Sequence, residues 1–324
     1  MKAIRIHQFG GPEVLQLDEV EDPVPGPGEV VITVRAAGVN PADTYMRNGT
    51  YRVKPDLPCI PGGDAAGEIA AVGEGVTAFK PGDRVFAGAA LGFDFTGCYA
   101  EKLKRPAAHV LPIPDTISFA EAAAFGVSYP TAHYALFARG GAKAGEAVFI
   151  HGASGSVGTS AIQLAKQAGL TVIGSAGSQK GMDLVRREGA DHAVNHNEAG
   201  YLDQVRTLTD DAGPDLILEM LADVNLADDM DLAAMHGRII VIGNRGEITV
   251  NPRLTMMKEL DIRGIMLWNV SQAHIEKMMS DILDAAKAGK LKPIVGRKFP
   301  LAEAPAAQVA VLENGNGGKI VLIP

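Results

Sequence analysis

A loop of small residues offers the clearest chemistry in this chain. It lies in residues 148–170, VFIHGASGSVGTSAIQLAKQAGL, where an apolar run meets small residues and a helical pattern follows. Ala153, Gly155 and Gly158 occupy the first, third and sixth positions of a GxGxxG fingerprint, with alanine replacing the first glycine. The first position makes the tight turn, the second glycine lets the backbone approach a pyrophosphate, and the third lets the helix pack on the strand. The free N–H groups at the start of that helix then bind the anion.

Taken by itself, this loop is equally compatible with a βα turn that uses glycine only for its geometry. Gly152, Ser154 and Ser156 keep the loop small, and the two serines add hydrogen-bond donors. A strand-like run precedes the loop, a helix-like run follows it, and the two patterns alternate as far as residue 268. In that setting the fingerprint predicts a dinucleotide bound at the loop.

The chain up to about residue 121 has a different texture. Short strand-like runs are separated by turns rich in proline and glycine, which predicts a small β barrel or sandwich. At Ser118 the run SFAEAAAFGVSYPTAHYALF begins, with Glu121 three residues later. Because this pair forms a capping box, we predict a helix over residues 118–137.

Beyond that helix, alternating elements predict a parallel sheet of βαβ units. The predicted strands are AVFIH, TVIGS, HAVN, LILEM, RIIVIG and DIRGIMLW, the last over residues 261–268. A further helix follows, and the tail returns to the strand-like pattern of the first domain. The predicted fold is therefore α/β, with a β-rich catalytic domain at residues 1–121 and a doubly wound Rossmann domain at residues 122–268. Residues 269–324 are predicted to supply a linking helix and a return to the catalytic domain.

Composition excludes several classes of protein. The 324 residues carry a net charge of −8 and no basic run, which argues against a broad nucleic-acid interface. No apolar stretch reaches the ~18 residues of a membrane span, and the start MKAIRIHQFGG lacks the apolar core of a signal peptide. Cys59 and Cys98 are too few for a disulfide framework. We therefore expect a cytoplasmic protein without membrane or nucleic-acid partners.

Seven motifs in order give the chain a family resemblance. They are FGGPEVL, AAGVNPADTYMRNGTY, FKPGDRVF, KAGEAVFIHGASGSVG, LEMLADVNL, GRIIVIGNRGEITVNPR and GGKIVLIP. With these motifs the chain resembles the medium-chain dehydrogenase/reductase superfamily, and within it the ζ-crystallin-like quinone oxidoreductases. The resemblance spans nearly the whole chain and implies that the catalytic domain is GroES-like. Ser156 departs from the pattern, since this branch usually has glycine there.

Many members of that superfamily hold a catalytic zinc and a four-cysteine structural zinc. Zinc takes Cys, His or carboxylate ligands, usually three from the protein for catalysis and four for structure. Two cysteines cannot build the structural site, the AAGVNPADTY region has no cysteine, and PGGDAAGE has no histidine. We therefore predict no metal site, with Asp64 and Glu68 in structural roles. His151 and the other histidines show no ligand spacing, and no acidic partner for His151 is evident from the sequence.

By resemblance, Asn40, Tyr45 and Tyr51 line the cleft beside the nicotinamide. The Asn-Pro step favours a turn or a helix start, and a tyrosine combines an apolar ring with a hydroxyl donor. That combination suits a flat acceptor with a carbonyl oxygen. The resemblance also places Tyr129 and Thr131 at the nicotinamide end. From the residues alone, the three tyrosines can instead be packing or loop-anchoring residues.

The end of the second Rossmann strand indicates which cofactor is preferred. Domains that bind NAD place an acidic residue about 20 residues beyond the fingerprint, where it binds the ribose 2′-hydroxyl. Residues 172–180, VIGSAGSQK, contain no acid. Ser178 and Lys180 instead offer a hydroxyl and a cation, and by resemblance His196 is a second neighbour of the 2′-phosphate. We therefore predict NADPH, with a solvated helix-start lysine as the alternative for Lys180.

The resemblance adds cofactor residues near the ends of the later strands, where Rossmann ligands bind. Lys319 of the tail is one of them, with a surface lysine as the alternative. The predicted cofactor set is Tyr45, Ser154, Gly155, Ser156, Val157, Gly158, Gly177, Ser178, Lys180, His196, Asn225, Ile242, Gly243, Asn244, Arg245, Ile265, Met266, Leu267 and Lys319.

Together these features predict an NADPH-dependent quinone oxidoreductase that works without a metal. A reductase of activated alkenes such as alkenals and enones, with the same fold and cofactor, is the alternative enzyme. An RNA-binding or structural crystallin-like role is a third hypothesis, and the acidic charge argues against RNA. The resemblance also implies a homodimer in which residues 261–268 pair with their copy across a two-fold axis.

Overall fold

Two hydrophobic cores, one in each part of the chain, organise the structure. The computed structural model describes residues 1–52, 54–92, 94 and 96–324. These residues group into a first unit, Met1–Val127 with Ser271–Pro324, and a second unit, Ser128–Val270. Strands and helices are numbered along the whole chain.

Short strands build the first unit, as its proline- and glycine-rich turns predict. The strands are β1 (Lys2–Arg5), β2 (Gln16–Glu19), β3 (Glu29–Val39), β4 (Asp64–Val72), β5 (Arg84–Ala87), β6 (Lys102–Pro106), β7 (Leu111–Pro112), β14 (Val295–Pro300) and β15 (Lys319–Ile323). β1 and β2 form a separate antiparallel pair. The others form one sheet in the order β14-β15-β3-β4-β5-β7, and β6 also pairs with β3.

The tail of the chain completes this first unit. β15 pairs antiparallel with β3, with Ile320 opposite Val39, and parallel with β14. Its apolar residues join the same core as those of β3, so that Ile32 and Leu322 are both fully buried. The strand pairing therefore places the last residues of the chain beside the end of β3.

Among the residues that the structure describes, four α-helices accompany these strands: α1 (Pro41–Arg47), α2 (Phe119–Ala122), α9 (Gln272–Lys287) and α10 (Ala304–Ala310). The Asn-Pro step does start a helix, with Asn40 at the N-cap of α1. The predicted capping box also forms, because Ser118 Oγ accepts a hydrogen bond from the backbone N–H of Glu121. The single helix predicted over residues 118–137 is wrong, since α2 ends at Ala122. Residues 123–127 form turns, and a β-carbon at Gly126 would lie 2.1 Å from Asp64 Oδ1.

The second unit alternates strand and helix throughout. Its strands are β8 (Ala147–Ile150), β9 (Thr171–Ala176), β10 (His192–Asn195), β11 (Leu216–Glu219), β12 (Arg238–Val241) and β13 (Asp261–Gly264). Its α-helices are α3 (Ser128–His133), α4 (Ser156–Gln167), α5 (Gln179–Arg187), α6 (Tyr201–Thr207), α7 (Ala222–Leu232) and α8 (Arg253–Lys258), and a π-helical segment continues α3 over Tyr134–Arg139.

All six strands of this unit run parallel, in the order β10-β9-β8-β11-β12-β13. That order is the doubly wound arrangement of a Rossmann sheet. The central strands are apolar on both faces, as sheets covered on both sides by helices require: Phe149 and Ile217 on one face and Ile150 and Leu218 on the other are fully buried. The structure confirms the predicted fold class.

The last strand is shorter than predicted. β13 covers Asp261–Gly264 only, and the following residues leave the sheet before a 3₁₀ turn at Leu267–Asn269. Leu267 is buried in that turn, whereas Met266 is exposed, so the apolar run is divided between core and surface instead of continuing as strand. Among the described residues, no helix is both long and apolar enough to span a membrane.

Candidate functional site

The glycine-rich loop connects β8 to α4 in the second unit. The sequence predicted the tight turn at Ala153. In the structure the residue with left-handed backbone is Gly152, with φ of +54°, so the turn falls one residue earlier than predicted. A β-carbon at Gly158 would lie 2.5 Å from the α-carbon of Ala153, so only glycine permits this close approach of the helix to the loop. At Gly155 the nearest atom to such a carbon is Gly152 O at 3.2 Å, which leaves the rest of its surroundings open.

The first turn of α4 presents its amides at this loop. Helix-start amides such as those of Ser156 and Val157 have no carbonyl partner within the helix, and the helix dipole favours an anion there. Ser156 Oγ lies 2.9 Å from Ser128 Oγ and forms a hydrogen bond with it. Ser156, at the position where this branch usually has glycine, is therefore hydrogen-bonded to α3 and does not block the loop.

The ends of β9 and β10 come together as the cofactor prediction requires. A β-carbon at Gly177 would lie 2.7 Å from His196 Nε2, and Asn197 donates a hydrogen bond to Gly177 O at 2.9 Å. Ser178 caps α5 by accepting from the Gly181 N–H, while Lys180 is exposed. Burial lowers the pKa of His196. This corner therefore offers hydroxyl, imidazole and ammonium groups and no carboxylate from residues 172–180.

The later strands end at the same edge of the parallel sheet, but several predicted residues there have partners within the unit. Asn225 donates to Glu219 Oε1 at 3.2 Å, and Asn244 donates to Gly246 O at 2.7 Å. The backbone N–H of Arg245 donates to Asp223 Oδ1 at 2.9 Å, and its side chain is exposed. Gly243 lies against Met220 O. The other predicted residues at this edge, Ile242, Ile265 and Met266, have apolar side chains.

A buried polar network occupies the first unit at the end of β3. Asn40 Nδ2 donates to Asp64 Oδ2 at 2.9 Å, and Lys319 Nζ donates to Asn40 Oδ1 at 2.5 Å and to Asp64 Oδ2 at 3.1 Å. The other Asp64 oxygen accepts the N–H of Ala89. All three side chains are buried, with Lys319 only 1% exposed. The surface-lysine interpretation of Lys319 is therefore wrong.

This network does not fit the catalytic zinc of the wider superfamily. Zinc would need Cys, His or carboxylate ligands around a vacant centre. Here the ammonium of Lys319 already lies between Asn40 Oδ1 and Asp64 Oδ2, so the cation that balances the buried carboxylate belongs to the protein. Asp64 is thus used structurally, and Glu68 forms a surface ion pair with Arg35 at 2.7 Å.

Asp43 extends the network toward Tyr99. Its Oδ2 accepts both the backbone N–H of Asn40 at 2.9 Å and the hydroxyl of Tyr99 at 2.8 Å. Its Oδ1 has no hydrogen-bond partner among the described residues, although the side chain is buried. Burial raises the pKa of Asp43 to about 7, because desolvation of the carboxylate outweighs its two hydrogen bonds.

The tyrosines predicted to meet the acceptor have different surroundings. Tyr45, on α1, stacks on Tyr51 with ring centroids 6.5 Å apart, and both are half-buried. Tyr129 is buried in α3 and donates its hydroxyl to Gln163 Oε1 at 2.8 Å. Burial also raises the pKa of Tyr129. Thr131 is buried on the same short helix. Tyr129 therefore fits the packing interpretation, whereas Tyr45 and Tyr51 form an accessible aromatic pair.

Sequence reasoning missed a cluster in the second unit. His151 Nε2 lies 2.7 Å from Asp229 Oδ1 and 3.4 Å from Glu219 Oε2, and all three residues are buried. The expectation that His151 lacks an acidic partner is wrong. Its partners are 68 and 78 positions away, so only the parallel alignment of β8 beside β11, with α7 following, brings them together. The sequence offered only a histidine and a glutamate within apolar strand-like runs, AVFIH and LILEM.

Asp43 should make the protein less stable as pH rises. Its pKa is about 7 when folded and 3.8 as a free side chain, so the folded state binds the extra proton between these values. The stabilisation is complete below pH 4 and is lost as pH rises through 7, at up to about 1.4 kcal/mol per pH unit. Asp43→Asn keeps an oxygen for both donors and should remove this part of the slope, as measured by urea unfolding from pH 4 to 8. Asp56→Asn, at an exposed site, should retain the wild-type slope, and an unchanged slope in Asp43→Asn would contradict the assignment.

Comparisons with known proteins agree with this architecture. Residues 26–115 match the model of the alcohol dehydrogenase GroES-like domain, and residues 156–284 match that of the zinc-binding dehydrogenases. The chain is 44% identical to a quinone oxidoreductase of Rattus norvegicus, covering all of this chain and 98% of the relative. The solved structure of an Escherichia coli quinone oxidoreductase complexed with NADPH has a TM-score of 0.87 at 28% identity, with both chains fully covered. An NAD-dependent alcohol dehydrogenase structure has a TM-score of 0.92 at 32% identity, again with full coverage of both chains.

These similarities extend over both units and do not rest on the loop alone. The GroES-like model covers strands of the first unit, and the dehydrogenase model begins at the first residue of α4. The identity to quinone oxidoreductases from several mammals, 41% for the protein of Homo sapiens, runs through the whole chain. The resemblance found in the sequence is confirmed, and the chain belongs to the quinone oxidoreductase family of medium-chain dehydrogenases/reductases.

Proposed function

We propose that this protein is an NADPH-dependent quinone oxidoreductase. The observation that carries the proposal is the phosphate-binding loop with an acid-free corner at the ends of β9 and β10. A carboxylate in that corner would repel a 2′-phosphate, whereas Ser178, Lys180 and His196 can hydrogen-bond to one. The relatives named quinone oxidoreductases, and the one solved with NADPH, support the same cofactor and substrate.

The residues of the second unit fit NADPH. The loop at Gly155 leaves open space before the helix amides, so it suits a pyrophosphate, and the Gly177 corner suits the 2′-phosphate. Bound NADPH would supply a hydride, and a quinone that receives it needs one proton more to become the quinol. The protein's own task is then to hold donor and acceptor in contact and to exclude competing reactions.

We assign the acceptor site to Asn40, Tyr45 and Tyr51 of the first unit. The Asn40 amide is fixed at both ends, since Lys319 binds its oxygen and Asp64 binds its nitrogen. Tyr45 and Tyr51 offer a stacked, half-buried aromatic surface with two hydroxyls, which suits a flat ring with carbonyl oxygens. Tyr129 and Thr131 are assigned to support, because the Tyr129 hydroxyl is engaged by Gln163. Lys319 orients Asn40. This role replaces the contact with the cofactor that was predicted for Lys319.

A turnover screen tests the function directly. Purified protein is mixed with NADPH and with matched panels of quinones and conjugated alkenals or enones. Quinones should be the better substrates, with turnover dependent on protein concentration. Faster turnover of the alkenals would favour the alternative reductase, and no NADPH oxidation with any acceptor would contradict the enzyme assignment.

NADPH should bind far more tightly than NADH. A charge-assisted contact to the 2′-phosphate is worth roughly 1.5–3 kcal/mol, or about 10- to 150-fold in affinity. Lys180→Ala should weaken NADPH by about that factor and leave NADH nearly unchanged, as measured by fluorescence titration. Lys143→Ala is the matched control, because Lys143 is exposed before β8, at the opposite end of the sheet. Equal losses of affinity for NADPH and NADH would show that Lys180 does not contact the 2′-phosphate.

Tyr45→Phe tests the acceptor site. The change removes the hydroxyl but keeps the ring that stacks on Tyr51. If the hydroxyl stabilises charge that develops on the acceptor oxygen, kcat should fall about 10- to 100-fold while NADPH affinity stays constant. Tyr201→Phe, at a half-buried tyrosine of the second unit, should leave kcat unchanged. Unchanged kcat in Tyr45→Phe with several quinones would mean that Tyr45 only lines the site and that its hydroxyl stabilises no charge.

Quinone reduction should not depend on a metal. The cation between Asn40 and Asp64 is the Lys319 ammonium, so chelators have no catalytic ion to remove. Steady-state activity should therefore be the same before and after prolonged dialysis against EDTA and 1,10-phenanthroline. Loss of activity on chelation, restored by added zinc, would contradict this prediction.

We also propose a homodimer built on the edge of the parallel sheet. β13 is the last strand in the sheet order, with one edge unpaired among the described strands. Apolar side chains are exposed on it and on the helix before it, including Ile262 at 39%, Met256 at 78% and Met257 at 63%. An exposed apolar edge of this kind favours pairing with a second copy.

Light scattering tests the dimer. The wild-type protein should have twice the 33.9 kDa mass of one chain at micromolar concentration. Ile262→Lys should shift it toward the monomer, because a charge on the paired edge opposes association. Val24→Lys, at a position 78% exposed in the first unit, is the control and should remain dimeric. A monomeric wild-type protein would refute the proposal.

A further inference from the structure

Ser175 connects the phosphate loop to the corner at the ends of β9 and β10. It lies near the end of β9 and is 0% exposed. Its backbone carbonyl accepts a hydrogen bond from the N–H of Ala153 at 2.8 Å, and its hydroxyl oxygen accepts one from the N–H of Gly152 at 3.2 Å. The tight turn of the phosphate loop is therefore hydrogen-bonded to Ser175 twice.

The same hydroxyl contacts His196, which follows β10. His196 Nδ1 lies 3.4 Å from Ser175 Oγ, within hydrogen-bond distance, and the backbone N–H of His196 donates to Ala176 O at 3.2 Å. The other ring nitrogen lies at the corner, because a β-carbon on Gly177 would be 2.7 Å from His196 Nε2. The half-buried imidazole thus extends from a buried hydroxyl to the corner that the proposed function assigns to the 2′-phosphate.

The available protons decide which group donates in the contact between Ser175 and His196. A serine hydroxyl can donate one hydrogen bond, and a neutral imidazole has one nitrogen that donates and one that accepts. Because Ser175 Oγ already accepts the N–H of Gly152, its own proton needs an acceptor elsewhere. Among the described residues, the structure brings only His196 Nδ1 within reach as that acceptor. A proton on Nδ1 would instead leave a fully buried hydroxyl without an acceptor, which is costly.

The position of the proton on His196 decides what the imidazole can offer to a phosphate. Burial lowers the pKa of His196, which favours the neutral ring. In a neutral imidazole, the hydrogen bond made by one nitrogen sets which nitrogen carries the proton. A ring that accepts at Nδ1 carries its proton on Nε2 and can donate to a phosphate oxygen. The opposite tautomer would present a lone pair to that oxygen, and two acceptors form no hydrogen bond.

We propose that Ser175 is a positioning residue, whose buried hydroxyl holds His196 as the Nε2–H tautomer and thereby directs an N–H donor at the 2′-phosphate. The inference rests on the proposed function, because it takes the cofactor to be NADPH bound at this corner. Ser175 acts only through its neighbours, since it is 0% exposed. One side chain therefore holds both the Gly152 turn and the imidazole that distinguishes NADPH from NADH.

The tautomer of His196 tests this inference without any cofactor. Two-bond ¹H–¹⁵N spectra at about pH 8, above the ordinary histidine pKa, distinguish protonated from unprotonated ring nitrogens. The signals lost in His196→Phe identify this residue among the eight histidines. Wild-type protein should carry the proton on Nε2, Ser175→Ala should show a mixture of both tautomers, and Ser175→Thr, which keeps the hydroxyl, should restore the wild-type signals. Ser160→Ala, at another buried serine of the second unit, is the matched control and should leave the His196 signals unchanged.

Cofactor affinity, measured by fluorescence titration, is the second readout. Ser175→Ala should weaken NADPH about 5-fold more than NADH, because the hydrogen bond to the 2′-phosphate is impaired whereas both cofactors share the phosphate loop. In a His196→Phe background the same change should leave the ratio of the two affinities unaltered, because the imidazole through which Ser175 acts is absent.

The outcomes separate this inference from the proposed function. A proton on Nδ1 in wild-type protein, or equal losses of affinity for NADPH and NADH in Ser175→Ala, would overturn the inference, and a wild-type preference for NADPH would leave the proposed function intact. Wild-type protein that binds NADPH and NADH equally well would contradict the proposed cofactor and, with it, the role of Ser175 in directing a donor at the 2′-phosphate.

Discussion

The buried ammonium of Lys319 is the constraint on which the first unit depends. Lys319 begins β15, whereas Asn40 follows β3 and Asp64 begins β4, so the ammonium joins the ends of three neighbouring strands. Removing either Lys319 or Asp64 would leave an unpaired buried charge, at a cost of about 3–5 kcal/mol. The last residues of the chain are therefore needed to complete a network whose other members lie more than 250 positions earlier.

The same interaction shows how a buried carboxylate of the first unit is balanced by a side chain of the protein. Asn40 and Asp64 provide oxygen and amide groups at a position where a cation is required, and the protein supplies that cation from its own tail. An ammonium donates hydrogen bonds but cannot polarise a substrate oxygen as a metal does. The arrangement suits reactions in which the acceptor takes a hydride readily, and in the proposed reaction it leaves catalysis to positioning and to hydroxyl donors such as Tyr45.

The second unit faces a different electrostatic problem. Its loop must attract phosphate, and the end of β9 offers the hydroxyl of Ser178 and the ammonium of Lys180, with no carboxylate in residues 172–180. Glu219 and Asp229 are nevertheless close behind the loop, buried against His151, and burial raises the pKa of each to about 7. The same desolvation lowers the pKa of His151. A raised pKa makes these acids easier to protonate, and a protonated acid does not repel a phosphate.

The sequence alone determined the fold class, the family and the phosphate loop. The small-residue spacing around Gly155 and Gly158 follows directly from the strand–loop–helix geometry, and a parallel sheet follows from apolar strands about one helix apart. Local rules also located the helix start at Ser118, because a capping box depends on residues three positions apart. The Asn-Pro step at Asn40 favoured a turn or a helix start, and the structure has the helix start. Local rules failed where the helix stops: α2 ends at Ala122, and the turn that follows brings Gly126 close to Asp64, a residue distant in sequence.

Only the tertiary structure decided the partners of the buried charges. Nothing local to Lys319 distinguishes it from a surface lysine, and nothing near His151 in sequence indicates two acids. Strand order brings Lys319 to Asp64 across 255 positions and His151 to Asp229 across 78. The energy of a buried charge depends on the atoms within a few ångströms of it, and these are fixed by sheet register and topology, which short-range sequence patterns do not encode.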